Sequence, residues 1–256
     1  MNNNKTILIS GASKGVGLEV ARLFNKYKYN LILVSRNFEK KYLQKFDSPE
    51  KVFLLPNGIE SSDLIKNIND LLKTNSILSP SIIVNNSGGP NPKLPSQITV
   101  EELENYFNSG MVGFMNVIQK YTPFMTKNNW GRIINIGSTV SKEPSAIMSI
   151  SATIRAGLIA YSKALSLELA DKGVTVNTIN LGGVLTGRIK NLFSKIAETE
   201  GVSVNDKIKQ AEKSIPMQRF AKPEEVAYLV EFLCSEKANY ITGQTISIDG
   251  GLSKSI

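Results

Sequence analysis

Histidine is missing from this chain altogether. That excludes Ser-His-Asp and Cys-His catalysis, and with it every hydrolase built on a histidine base. It also removes the commonest transition-metal ligand. There is one cysteine, Cys234, so no internal disulfide can form, which fits a reducing, cytoplasmic setting. Cys234 stands in the apolar stretch "YLVEFLCSE" and reads as an inert core thiol. No apolar run approaches the roughly 20 residues of a membrane helix. The opening "MNNNKTILIS" lacks a signal peptide's long apolar region. No membrane segment is expected.

What is present has the bulk of a globular protein. The 256 residues are 41% hydrophobic and 20% charged, enough for one large α/β domain with a buried core. The net charge of +8 raises nucleic acid as a partner. But the lysines are scattered, with no basic block and no aromatic-rich basic motif. A solvated basic surface, part of it serving an anionic cofactor or substrate, is the expectation, with no nucleic-acid partner.

Strand-like runs ("KTILIS", "NLILVS", "KVFLLP", "SIIVNN", "GRIINIGS", "VTVNTIN", "TISIDG") alternate with amphipathic segments such as "LIKNINDLLK". This alternation predicts a Rossmann-type, doubly wound parallel sheet of about seven strands with helices on both faces. The runs lack strict polar alternation, as strands covered on both faces do. No linker or repeat divides the chain, so one dinucleotide-binding domain spanning 1–256 is expected. The polar stretch at about 187–220 breaks the rhythm and predicts a helical, lid-like insertion.

"ILISGASKGVG" places Gly11, Gly15 and Gly17 after the first strand, opening the first helix. Such glycines let the backbone approach a pyrophosphate, and the helix N-terminus offers it free N–H groups. The spacing G-x-x-x-G-x-G differs from the general dinucleotide fingerprint. An NAD site usually carries an acid after the second strand. Here stand Ser35 and Arg36, with Lys14 in the turn. A hydroxyl and two cations suit a 2′-phosphate, which predicts NADP(H).

Taken together, these stretches resemble the short-chain dehydrogenase/reductase family over nearly the whole chain. "SGASKGVG" resembles the family's cofactor turn, and "VNNSGG" its Asn-Asn-Ala-Gly segment with Ser87 for alanine. "GRIINIGS" resembles the fifth strand, ending in the family's catalytic serine, here Ser138. "VTVNTINLGGVLTGRI" resembles the sixth strand and its Pro-Gly turn, with Leu181 for proline, and the stretch from "RFAKPEEV" to "DGGL" resembles the closing signature. The resemblance implies cofactor contacts from Gly11, Ser13, Lys14, Gly15, Val16 and Gly17. It adds Ser35, Arg36, Asn85, Gly88, Arg155, Gly182 and Thr186. It also implies a homo-oligomer, tetramer or dimer, formed through the long helices after the fourth and fifth strands and the last strand.

The chain departs from the family where the chemistry lies. Gly110 falls in the place of the active-site asparagine, Ser151 in that of the tyrosine, and Arg155 in that of the lysine. Asn57 also replaces an acid near the adenine. Positions i and i+4 share a helix face, so Ser151 and Arg155 should converge as tyrosine and lysine do. Their chemistry differs. A phenol titrates near 10, an aliphatic hydroxyl is a far weaker acid, and a guanidinium does not relay protons. The run "IRAGL" with "NNSGGP" is similar to a subgroup labelled 3-oxoacyl-carrier-protein reductase-like.

The expected activity is hydride transfer between NADP(H) and a small-molecule carbonyl/alcohol substrate, for which an anionic one is a candidate. Ser138 would polarise the oxygen, Ser151 would assist directly or through water, and Arg155 would hold ribose or a substrate anion. The proton source is open between Tyr106, Asn108, Lys142, Glu143 and a water held by Ser138 and Ser151. Tyr161, about 280° around the helix from Ser151, should face away. Two other readings stay open: a cofactor-binding protein with little activity, and isomerisation, dehydration or alkene reduction on the same scaffold.

Overall fold

The computed structural model describes residues 5–39 and 41–255. The expected domain span of 1–256 takes in residues 1–4, 40 and 256, which lie outside the described residues. The apolar runs form β1 (Thr6–Ser10), β2 (Asn30–Val34), β3 (Val52–Leu55), β4 (Ile82–Asn85), β5 (Gly131–Ser138), β6 (Val174–Leu181) and β7 (Thr245–Ile248). They pair in parallel in the order β3-β2-β1-β4-β5-β6-β7. The helices between them are α1 (Gly15–Lys26), α2 (Leu64–Thr74), α3 (Val100–Phe107) and α4 (Gly113–Lys127). They continue with α5 (Ser149–Leu169), α6 (Gly187–Glu200), α7 (Val204–Glu212) and α8 (Pro223–Cys234).

Two apolar layers explain why the strands are uninterrupted runs. Ile7 and Ile9 of β1 enter one layer with Val20 and Phe24 of α1 and Val230 of α8. Leu8, between them, enters the other with Phe114 and Val117 of α4 and Leu158 of α5. Each such side chain contributes about 1.5–3 kcal/mol by full burial. Asn85 and Asn177, polar residues buried in strands, are each held by a side-chain hydrogen bond.

The order reverses between β1 and β4, so a crevice opens outside their carboxyl ends. Three helix starts are aimed at this crevice or anchored near it. α1 begins at the glycine turn. α6 begins at Thr186, whose hydroxyl accepts from Ile189 N at 3.5 Å. The start of α3 is fixed by a capping box: Thr99 Oγ1 accepts from Glu102 N at 3.2 Å, and Glu102 Oε2 accepts from Thr99 N at 3.0 Å. Lys93 closes on the same carboxylate at 2.7 Å.

The stretch expected to be a helical insertion holds α6 and α7. They are tied by a Lys207–Glu200 ion pair, and Phe193 rests on Phe220 with ring centroids 5.8 Å apart. Among the described residues no helix is long and apolar enough to cross a membrane. Cys234 is buried, and desolvation pushes its thiol up to about 12. Thiol reagents should therefore modify it only as fast as the fold opens. Rapid labelling in native buffer at neutral pH would contradict this.

Candidate active site

The glycine turn is built by two constraints. Gly11 and Gly15 have φ of +59° and +60°, a region costing L-residues about 1–2 kcal/mol. The turn is also stapled to the end of β4. Ser10 Oγ donates to Asn86 O and accepts from Asn86 N, both at 2.9 Å, while Asn86 Nδ2 donates to Gly11 O at 3.1 Å. A Cβ on Gly17 would lie 2.5 Å from Gly11 O, and one on Gly15 would lie 3.2 Å from Thr186 Cγ2. Thr186 thus stands beside the turn although it lies beyond the far end of β6, at the start of α6. Lys14, at the N-cap of α1, makes no side-chain cap, so the first helical N–H groups are left for another partner. Val16 points into the core instead, 7% exposed.

Ser35, at the end of β2, donates its hydroxyl to Ser13 Oγ at 2.9 Å. This joins the glycine turn to the β2 exit. Lys14 and Arg36, the neighbours of this pair, are both exposed.

A second cleft of about 10 Å³ lies between the Ser87–Pro90 turn, the end of α3 and the start of α5. Ser151, Arg155, Gly88 and Gly110 line it together with Tyr106. Gly110 sits in a π-helical turn, Asn108–Val112, inserted between α3 and α4. Such bulges re-aim side chains and recur at functional sites. A Cβ on Gly110 would stand 3.0 Å from Ile154 Cγ2.

Arg155 is buried, with 7% of its surface exposed. Its guanidinium donates to Ile136 O at 2.8 Å, Ser87 O at 3.2 Å and Ser87 Oγ at 3.1 Å. Among the described residues no acid pairs with it. Desolvation, and then the nearby charge of Arg188, push it down to about 10; it stays charged at neutral pH. Arg188, in the first turn of α6, donates to Pro90 O at 2.7 Å. The two guanidinium groups thus hold the two ends of one turn. Neither Arg188 nor Asn86 was singled out from the sequence. Arg188 is remote in sequence from the other cleft residues, and Asn86 differs from Asn85 only by one strand register.

Other positions fall elsewhere. Ser138 ends β5, half-buried, with its carbonyl accepting from Ser141 Oγ at 2.7 Å; it does not line the small cleft. The Asn85 side chain is fully buried and donates to Asn135 Oδ1 at 2.8 Å, and Asn135 donates to Ser162 Oγ at 2.8 Å. Gly182 packs on β7, where a Cβ would lie 2.6 Å from Asp249 Cβ. Asn57 accepts from Asn67 Nδ2 at 3.3 Å. Tyr161 packs into the layer formed by α2, α4 and α5. Glu143 is held by the backbone N–H groups of Lys254 and Ser255, both at 2.6 Å. Lys142 and Asn108 are exposed.

A parallel seven-strand sheet, a glycine turn at the switch point and a cleft between the turn after β4, the end of α3 and the start of α5 define a class of nicotinamide-dependent oxidoreductases. Residues 11–253 match the family model described as enoyl-(acyl carrier protein) reductase, and the chain belongs to this short-chain dehydrogenase/reductase family. It is 32% identical to the NADPH-dependent reductase BacG of Bacillus subtilis, over 99% of this chain and 100% of that one. It is 32% identical to the 3-oxoacyl-[acyl-carrier-protein] reductase FabG of Aquifex aeolicus, over 97% of each chain. It superposes with a TM-score of 0.91 and 25% identity on the L-sorbose reductase of Gluconobacter frateurii complexed with NADPH and L-sorbose, covering 99% and 98% of the two chains.

Proposed function

We propose that this chain is an NADP(H)-dependent reductase that works on a carbonyl/alcohol pair with a non-standard set of catalytic residues. The observation that carries the reading is the glycine turn: two left-handed glycines, a third packed on the first, and the uncapped start of α1 above them. A Cβ would fill this cradle, and a pyrophosphate fits it. Gly11, Ser13, Gly15, Gly17 and Thr186 would hold the phosphates. Ser35, Lys14 and Arg36 would hold a 2′-phosphate. Bound there, the nicotinamide supplies the hydride.

In this reading Ser138 orients the substrate oxygen. Ser151, whose hydroxyl opens on the cleft beside Arg155, assists the proton transfer. Arg155 grips the ribose or an anion on the substrate. Two guanidinium groups around one turn, with no described acid between them, favour a substrate with a negative group. The α6–α7 segment carries Arg188 over the Ser87–Pro90 turn and acts as a lid. Exposed Leu103 and Phe107 beside an apolar hollow of about 380 Å³ between α3 and α5 favour a homo-oligomer on that face. The family description favours one second reading, reduction of an alkene conjugated to a carbonyl.

The test is titration with NADPH and NADH, read by nicotinamide fluorescence. NADPH should bind at least about 10²-fold more tightly. A charge-assisted hydrogen bond is worth about 1.5–3 kcal/mol, and about 1.4 kcal/mol is tenfold in affinity. Arg36→Ala should therefore weaken NADPH about 10–100-fold and leave NADH unchanged. Equal affinity for both cofactors in the wild type would remove the 2′-phosphate assignment; binding of neither would remove the reading.

A further inference from the structure

A reductase needs a proton donor as well as a hydride, and the cleft restricts which group that is. Ser87 accepts from Arg155 Nη2 at 3.1 Å. Ser109 spends its hydroxyl on the Asn105 carbonyl at 3.0 Å. Arg155 is committed to three acceptors. Three residues of the cleft wall keep an uncommitted O–H: Ser87, Ser151 from α5 and Tyr106 from the last turn of α3. None donates its hydroxyl to another described residue. Two are aliphatic alcohols, and a phenol is the stronger acid.

The other groups that could supply a proton are drawn away. Tyr161 is packed into the α2–α4–α5 layer, and Glu143 is held by the backbone at Lys254 and Ser255. Lys142 and Asn108 are exposed and do not line the cleft. Tyr106 is half-buried and lines the cleft. Its backbone is fixed from both sides. The capping box at Thr99 pins the start of its helix, and the π turn follows directly. Four residues on, Gly110 has no side chain to stand between Tyr106 and α5. A Cβ there would already press on Ile154.

We propose that Tyr106, reaching the cleft from α3, is the general acid of this enzyme. The step rests on the proposed reductase function. A C–H bond forms at the carbonyl carbon with hydride supplied by reduced nicotinamide, and the carbonyl π electrons move to oxygen. The Tyr106 O–H bond breaks, its proton passes to that oxygen, and the phenolate regains a proton from water. The carbonyl is reduced to the alcohol and the nicotinamide is oxidised. Ser151 stands on the same wall to steer the oxygen toward the phenol.

The experiment compares wild type with Tyr106→Phe, Ser151→Ala and Tyr161→Phe. Each receives NADPH with acetoacetyl-coenzyme A, L-sorbose or phenanthrenequinone, and NADPH binding is measured separately by fluorescence. Positioned acids contribute about 10²–10⁴-fold. Tyr106→Phe should lower kcat by about 10²–10³-fold, with KM and the Kd for NADPH within about twofold of wild type. Ser151→Ala should lose less, and Tyr161→Phe should match wild type. A Tyr106→Phe enzyme within about threefold of wild type, or a larger loss in Ser151→Ala, overturns the role of Tyr106 and leaves the reductase reading standing. A wild type that binds NADPH but reduces none of the three probes overturns the reductase reading, and the proton donor with it.

Discussion

Arg155→Met should still fold, with stability lowered by only about 2 kcal/mol, and lose about 10³–10⁴-fold in kcat/KM. The two halves of this result come from different terms. Burying an ion costs several kcal/mol even after the protein relaxes around it. Here no described acid offsets that, and the guanidinium has three neutral acceptors at 2.8–3.2 Å. Hydrogen bonds from a charged donor return about 1.5–3 kcal/mol each, so the three roughly cancel the burial cost. Methionine fills much of the same space with no ion to desolvate. It leaves the Ile136 and Ser87 carbonyls short of a donor, at about 1–3 kcal/mol each. Together these cost about 2–6 kcal/mol, and burying the methionine side chain returns about 1.5–3 kcal/mol. The net loss is about 2 kcal/mol, or about 4–8 °C in Tm at about 2–4 °C per kcal/mol for a domain near this size.

Function has no such cancellation. On the proposed reading, the guanidinium's remaining N–H groups must hold the ribose or a substrate anion, and a thioether offers none. The measurement is a thermal melt beside steady-state rates with acetoacetyl-coenzyme A and NADPH. A Tm lowered by more than about 10 °C would make Arg155 a structural brace of the Ser87–Pro90 turn. An undiminished rate would take it out of the reaction.

Tyr106 and Arg155 mark the boundary of what the sequence reveals. The sheet is legible because strands covered on both faces are predominantly apolar, and seven such runs stand between amphipathic helices. The convergence of Ser151 and Arg155 is legible because four residues on one helix is a local relation. Both line the same cleft. The staple on the glycine turn is not legible. "NN" after β4 offers two asparagines, and strand geometry sends Asn85 inward to Asn135 and Asn86 outward to Gly11. Arg188 meets Arg155 only because β6 returns beside β5 and delivers the start of α6 over the turn. Ser138 ends the expected strand, yet it does not line the cleft that Ser151 and Arg155 share. Tyr106 is one of several open proton sources in the sequence. It lines the cleft just before a π turn that no hydrophobic period announces, and Asn108, inside that turn, does not.

The largest effect on cofactor binding should come from one methyl group, in Gly17→Ala. Gly17 has an ordinary helical backbone, and alanine is favoured over glycine within a helix by about 1 kcal/mol. Local propensity therefore predicts a small gain in stability. Packing predicts the reverse. The new Cβ would lie 2.5 Å from Gly11 O and 2.9 Å from Asn86 Nδ2. Neither neighbour is the free end of a flexible side chain, because Asn86 Nδ2 is bonded to Gly11 O. Helix α1 cannot retreat either, since Val16, Val20 and Phe24 hold it in the core. The glycine turn is what must move, and its hydrogen bonds to Asn86 go with it. Overpacking of this kind costs about 1–3 kcal/mol, which outweighs the helix gain. The displaced Gly11–Gly15 backbone is the proposed pyrophosphate cradle, so NADPH should show no saturable fluorescence change at concentrations about 10³-fold above the wild-type Kd. A modest fall in Tm together with complete loss of binding separates the cradle from general damage, because the core and the sheet remain. Retained NADPH affinity in Gly17→Ala would mean that the phosphates do not sit on this turn, and the cofactor assignments at Ser13, Gly15 and Thr186 would fall with it.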